Sequence, residues 1–162
     1  ITEKNAIRSI GMKIVSEMEE GTYYLIGAGT TTAGIMEELG LKNTLIGVDL
    51  VLNKQLLGND LYGEQIMQHI RGKKAKLVIT ITGGQGFLFG RGNQQITPEV
   101  IKAVGKENII IVATGEKLSA LRGASLLTDT GDRELDKLLK GYYKVIAGYH
   151  DTIISPVAPC EE

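Results

Sequence analysis

The chain has 162 residues, 43 % hydrophobic and 23 % charged, which suits one soluble globular domain with a full core. Eighteen Lys and Arg against nineteen Asp and Glu leave a formal net charge of −1, so neither nucleic acid nor a membrane surface is favoured as a partner. The single cysteine, Cys160, excludes a disulfide framework and a cysteine-based metal site. His69 and His150 stand far apart in sequence with no second ligand at helical spacing, so no metal site is expected.

No apolar run approaches the ~20 residues that span a bilayer. The opening Glu3 and Lys4 do not read as a signal peptide, and a reducing cytoplasm is the expected compartment. Residue 1 is Ile, which fits a piece of a longer protein, a processed product or a trimmed one.

Ile7, Ile10, Ile14, Val15 and Met18 recur at helical spacing, with Thr2 as a cap and Gly21 as the stop. Tyr23 to Ile26 is a short apolar strand running into Gly27-Ala28-Gly29, and Thr30 to Leu39 is a helix ended by Gly40. Thr44 to Val48 reads as a second strand that closes at Asp49, and Asp60 to Ile70 as a weaker helix interrupted by Gly63. Leu77 to Thr82 is the third strand.

Thr97-Pro98-Glu99 starts a helix with a cap, an early proline and an acid, and Gly105 closes it. Asn108 to Ala113 is a strand, Glu116 to Leu121 a short helix, Leu126 to Thr128 a further strand and Asp132 to Leu139 a last helix. Tyr142 to Ile154 is extended, giving one or two strands. This alternation predicts a single α/β domain over 1–162 with three layers, a mostly parallel sheet flanked by helices. In such folds ligands gather at the carboxyl ends of the strands.

Three polar or glycine-rich features fall at those ends. Gly27-Ala28-Gly29-Thr30-Thr31-Thr32 joins a strand to a helix, where free N–H groups and hydroxyls suit a phosphate. Thr32 stands where G-x-G-x-x-G has its third glycine, and no Gly-Lys-Ser/Thr follows. The segment is either a threonine-capped βα turn or an anion site. Asp49, twenty residues after Gly29, is placed to bond a ribose hydroxyl or a metal, or is a surface acid at a strand end.

The third feature is Gly83-Gly84-Gln85-Gly86-Phe87-Leu88-Phe89-Gly90-Arg91-Gly92-Asn93-Gln94-Gln95, in which five of the residues from Gly83 to Gly92 are glycine. Phe87 and Phe89, the two phenylalanines of the chain, are expected to pin this loop to the core. Gln85, Arg91, Asn93 and Gln94 would then face a polar ligand, with Arg91 pairing an anionic group. Asp129-Thr130-Gly131 has the form of an aspartic-protease motif but occurs once, and is read as a turn and helix start. No G-x-S-x-G elbow is present.

Tyr24 to Thr32, Leu45-Ile46-Gly47-Val48-Asp49, the long glycine segment with Ile96, Pro98, Glu99 and Val100, Glu107-Asn108-Ile109-Ile110 and Asp129-Thr130-Gly131-Asp132 together resemble the C-terminal half of the predicted ATP-NAD kinase family, relatives of the acetoin-catabolism X protein. The resemblance covers most of the chain in order. It implies phosphorylation of the adenosine 2′-hydroxyl of NAD, hence NADP biosynthesis, with ATP or polyphosphate and a divalent metal such as Mg. The family's Gly-Gly-Asp-Gly-Thr motif, in its N-terminal half, is absent. The nearest string is Gly83-Gly84-Gln85-Gly86-Phe87, whose Gln cannot act as a base.

The resemblance thus implies a domain that binds a nucleotide or phosphorylated ligand through Gly27, Gly29, Thr30, Thr31, Thr32, Asp49, Gly83, Gly84, Gln85, Gly86, Arg91, Asn93 and Gln94, with catalytic residues unknown. Its implied partners are an N-terminal kinase-like domain of the same protein and a second copy in a homo-oligomer. By layout the chain is also similar to Rossmann-like sugar-phosphate isomerase and sugar-sensing domains, with Asp49 as the proton-shuttling acid. Gly86-Phe87 stands near the place of their expected histidine. An enzyme, a binding or sensor domain and an oligomerisation domain all stay open.

Overall fold

The computed structural model describes residues 2–44, 46–90 and 94–161. The helices are α1 (Glu3–Glu17), α2 (Thr30–Leu39), α3 (Gly63–Ile70), α4 (Pro98–Val104), α5 (Gly115–Ala120) and α6 (Arg133–Leu139). The strands are β1 (Tyr23–Ile26), β2 (Val48–Leu52), β3 (Gln55–Leu61), β4 (Ala75–Ile79), β5 (Phe87–Phe89), β6 (Ile109–Val112), β7 (Leu126–Thr128), β8 (Gly141–Ile146) and β9 (Thr152–Pro159). They form one sheet in the order β3-β2-β1-β4-β6-β8-β9-β7-β5. Pairing is parallel from β1 through β4 and β6 to β8, and again from β9 through β7 to β5. It is antiparallel where β2 and β3 are added and where β8 meets β9. The expected α/β fold with a mostly parallel sheet is thus present.

An isolated antiparallel bridge joins Thr82 to Phe87. It ties β5, last in the strand order, to the chain continuing from β4. Strands β4, β6, β8, β9, β7 and β5 therefore curl into a ring closed by that one bridge.

Helices cover both faces. Ile10 and Ile14 of α1 and Ile35 and Met36 of α2 pack with Tyr24, Ile26, Val51, Val78 and Val112. Helices α3, α4 and α6 pack on the other face with Leu25, Leu50, Leu77, Ile79, Ile111, Val145 and Val157. Burying each such Leu, Ile or Val contributes about 1.5–3 kcal/mol, so the two faces dominate stability. Helices α1 and α2 approach so closely that a Cβ on Gly11 would lie 2.8 Å from the Gly34 carbonyl oxygen.

The sequence expectation fails in the second βα unit. The strand expected at Thr44 to Val48 lies at Val48–Leu52, and the helix expected from Asp60 begins at Gly63. Between them is a hairpin that periodicity does not suggest. Its turn residues Asn53 and Lys54 both have positive φ, 51° and 62°, as a two-residue hairpin requires. Asn-Lys carries that signal more weakly than Asn-Gly. Phe87–Phe89 is also a strand, and Tyr142 to Ile154 resolves into β8 and β9.

Gly11→Leu should lose about 1–3 kcal/mol in urea denaturation, because overpacking at the α1–α2 contact outweighs the better helix propensity of Leu. A second expectation concerns Tyr143, whose hydroxyl donates to the Leu139 carbonyl at 2.6 Å. Burial pushes its phenol up to about 12. Its stabilising contribution is fully present below the unfolded value near 10 and is lost as pH rises through about 12. Denaturation midpoints measured from pH 9 to 12 should fall more gently for Tyr143→Phe than for the parent chain.

Candidate functional site

The site is built on the turn that follows β1. The Gly27 amide donates to the Val78 carbonyl at 2.8 Å, carrying the β1–β4 ladder one residue past the strand. Gly29 then takes φ 133°, and a Cβ there would lie 2.6 Å from Thr80 Cγ2. Both facts require glycine. Helices α1, α4, α5 and α6 receive side-chain caps from Thr2, Thr97, Thr114 and Asp132. Helix α2 starts at Gly29, which has no side chain to cap it. No acceptor among the described residues meets the amides of Thr30, Thr31 and Thr32. Thr32 is buried with its hydroxyl donating to the Gly29 carbonyl at 3.1 Å, Thr31 is buried, and Thr30 is exposed.

Asp49 lies near this turn for a different reason from the one the sequence suggests. It stands near the start of β2, not at the end of a strand, and β2 runs antiparallel to β1 with Ile26 opposite Asp49. The two differences cancel, and Asp49 still falls at the carboxyl end of β1. Its side chain is only 3 % exposed. Asp49 Oδ1 accepts from Asn59 Nδ2 at 2.9 Å, the Asp60 amide at 3.1 Å and Thr44 Oγ1 at 3.2 Å. Thr44 Oγ1 also accepts from the Gly47 amide at 3.2 Å. This oxygen is an internal anchor for the 44–49 loop and β3.

The glycine segment divides in two. Its entry, Gly83 to Gly86, is a turn held by the Thr82 amide donating to the Phe87 carbonyl at 2.8 Å. Gly83, Gly84 and Gln85 are exposed, while Gly86 is buried near Leu121 and Leu126. Phe87, Leu88 and Phe89 are buried. Arg91 and Asn93 lie outside the described residues. The exit of the segment reaches the site. Gln95 Nε2 donates to Asp60 Oδ1 at 2.9 Å, and Ile96 Cδ1 would lie 3.7 Å from a Cβ on Gly27.

Gln94 is exposed and lines a cavity of about 390 Å³ with Gly90, Thr97, Asp129 and Thr130. The structure therefore brings the β1–α2 turn, Asp49 and residues Gln95 and Ile96 together, while Gln94 lines the cavity beside Asp129 and Thr130 and the Gly83–Gly86 turn runs toward β7. Sequence reasoning missed Asn59, Asp60 and Gln95, which link these pieces. The one available signal was the row of three carboxamides Asn93, Gln94 and Gln95 ahead of a helix.

Asp129-Thr130-Gly131 is a turn and helix start. The Thr130 amide and hydroxyl donate to Asp136 Oδ1 at 3.1 and 2.8 Å, and Asp132 caps α6. Lys102 Nζ at 2.7 Å, aided by the Leu135 amide, holds the Asp132 carboxyl below the usual carboxylate range. His150 lines a separate hollow of about 470 Å³ with Thr114, Glu116 and Asp151, at the carboxyl ends of β6 and β8. Among the described residues no group of three or more His, Cys, Asp or Glu is placed to hold a metal ion. None of their helices is long and apolar enough to cross a membrane.

Asp49→Ala should cost about 1–3 kcal/mol in thermal or urea unfolding, because it leaves part-buried donors from Asn59, Asp60 and Thr44 without their shared acceptor. Asp49→Asn should cost less, since its carbonyl oxygen can still accept.

Residues 19–157 match a family model described as the ATP-NAD kinase C-terminal domain. No curated protein and no solved structure matches the chain. The family match runs through β1, the glycine-led start of α2, the Asp49 anchor and the whole glycine segment. The chain belongs to the ATP-NAD kinase family, as its C-terminal domain.

Proposed function

We propose that this domain supplies a nucleotide-phosphate site to an NAD kinase-like protein, whose reaction phosphorylates NAD to NADP with ATP or polyphosphate. The observation that carries the reading is the start of α2. Among the described residues its three leading amides meet no acceptor, and the positive end of the helix dipole lies at the same place. Gly29 lets the backbone approach a phosphate without an intervening side chain. Gln94, Arg91 and Asn93 are assigned to the same ligand, with Arg91 as the partner of an anionic group. Gly83, Gly84, Gln85 and Gly86, carried toward β7, are given no ligand contact in this reading.

Asp49 serves this site from beneath, by fixing the loop and strand beside it. A ribose hydroxyl or a metal would have to reach an oxygen other than Oδ1, which already accepts three hydrogen bonds. The general base that deprotonates the adenosine 2′-hydroxyl is assigned to the family's Gly-Gly-Asp-Gly-Thr motif in a partner N-terminal domain. A divalent metal, where the reaction uses one, is given no ligands in this domain. Association with a second copy is part of the same reading.

Thr30→Glu tests the assignment. A carboxylate at the first turn of α2 should raise thermal stability by about 0.3–1 kcal/mol through the helix dipole. It should also abolish the thermal shift produced by NAD or ATP. A nucleotide shift that survives this substitution would show that the phosphate is held elsewhere. A shift with glucose 6-phosphate but with neither nucleotide would favour the sugar-phosphate reading.

A further inference from the structure

Asp60, the penultimate residue of β3, has φ 52°, a left-handed conformation that a residue with a β-carbon adopts rarely and at a cost. It is joined on two sides. Its amide donates to Asp49 Oδ1 at 3.1 Å, and its own Oδ1 accepts from Gln95 Nε2 at 2.9 Å. The next two residues are gripped as well. Ile96 is buried beside Gly27, and Thr97 packs so closely on the start of α3 that a Cβ on Gly63 would lie 2.6 Å from its Cγ2. Three successive residues thus hold the exit of the glycine segment to β3, to the β1–α2 turn and to α3. Of the three contacts, Asp60 with Gln95 is polar and can be removed without opening the core.

We propose that Asp60 is a positioning residue of the site. Through Gln95 it fixes the exit of the glycine segment against the β1–α2 turn, so that Gln94 and the amides of Thr30 to Thr32 keep one relative placement. The proposal rests on the reading of that turn as a nucleotide-phosphate site. Asp60 itself touches no ligand. It adds to affinity by removing the ordering that binding would otherwise have to supply.

Two substitutions separate this role from a merely structural one. Asp60→Gly keeps the amide that donates to Asp49, suits φ 52° better than Asp, and loses only the carboxylate. Asp60→Asn keeps an acceptor oxygen for Gln95 and tolerates the left-handed backbone. In the 162-residue chain, Asp60→Gly should melt at or above the parent temperature. By isothermal titration it should bind NAD or ATP about threefold to tenfold more weakly, the worth of one hydrogen bond. Asp60→Asn should restore parent affinity. Gln95→Leu should match Asp60→Gly, and the double variant should be no weaker than either. If Asp60→Gly unfolds at a lower temperature, Gln95→Leu carries the same comparison.

Unchanged affinity in Asp60→Gly and Gln95→Leu overturns the proposal while leaving the nucleotide site standing. If the parent chain binds neither NAD nor ATP, the nucleotide reading fails, and hydrogen exchange decides the positioning role by itself. Faster exchange in peptides spanning Gln94–Val100 of Asp60→Gly, with parent rates in Asp60→Asn, supports it. Equal rates in all three chains overturn it.

Discussion

One buried carboxylate oxygen organises the end of this domain where β1 gives way to α2. Asp49 Oδ1 draws donors from the 44–47 loop, from Asn59 and from the backbone of Asp60, and each would be costly to leave unpaired away from water. Its own position is set by strand register, since pairing Ile26 with Asp49 puts the carboxylate at the carboxyl end of β1. From there the connections run outward. Asp60 holds Gln95, and Ile96 rests beside Gly27. A slip of one residue between β1 and β2 would turn Asp49 to the other face and uncouple the whole assembly.

The availability of α2 follows from what closes the neighbouring helix ends. Gly11 lies against Gly34 and against Glu38 one turn on, so α1 and α2 run side by side in the same sense. The threonines at the starts of α1 and α5 bend back on their own helices through Asn5 and Lys117. α2 begins with glycine because Thr80 leaves no room for a side chain. One steric constraint therefore both shapes the turn and leaves its amides without a partner among the described residues.

Much of the fold was legible because its parallel strands are short apolar runs bounded by glycine and capped helices. Tyr23–Ile26, Thr30–Leu39 and the proline-led α4 carry their boundaries in their own residues. The β2–β3 hairpin was hidden because Asn53-Lys54 reaches positive φ without glycine, and β5 because three residues among glycines read as loop. In the site, the β1–α2 turn was visible as a glycine-threonine pattern. The link between Asp60 and Gln95 was not, since it joins residues 35 apart in sequence and depends on a left-handed Asp that no periodicity marks.

The bridge between Thr82 and Phe87 has a bearing on solubility. A strand at the end of a sheet offers unpaired amides and carbonyls to any passing chain. By folding β5 onto the continuation of β4, the chain leaves β3 as the open border of the sheet among the described residues. That border is uneven. Register shifts interrupt its pairing with β2, and the left-handed backbone at Asp60 ends its straight run. A foreign strand would find few consecutive groups in line, so the same irregular backbone that lets Asp60 reach both Asp49 and Gln95 also guards the sheet against edge-on aggregation.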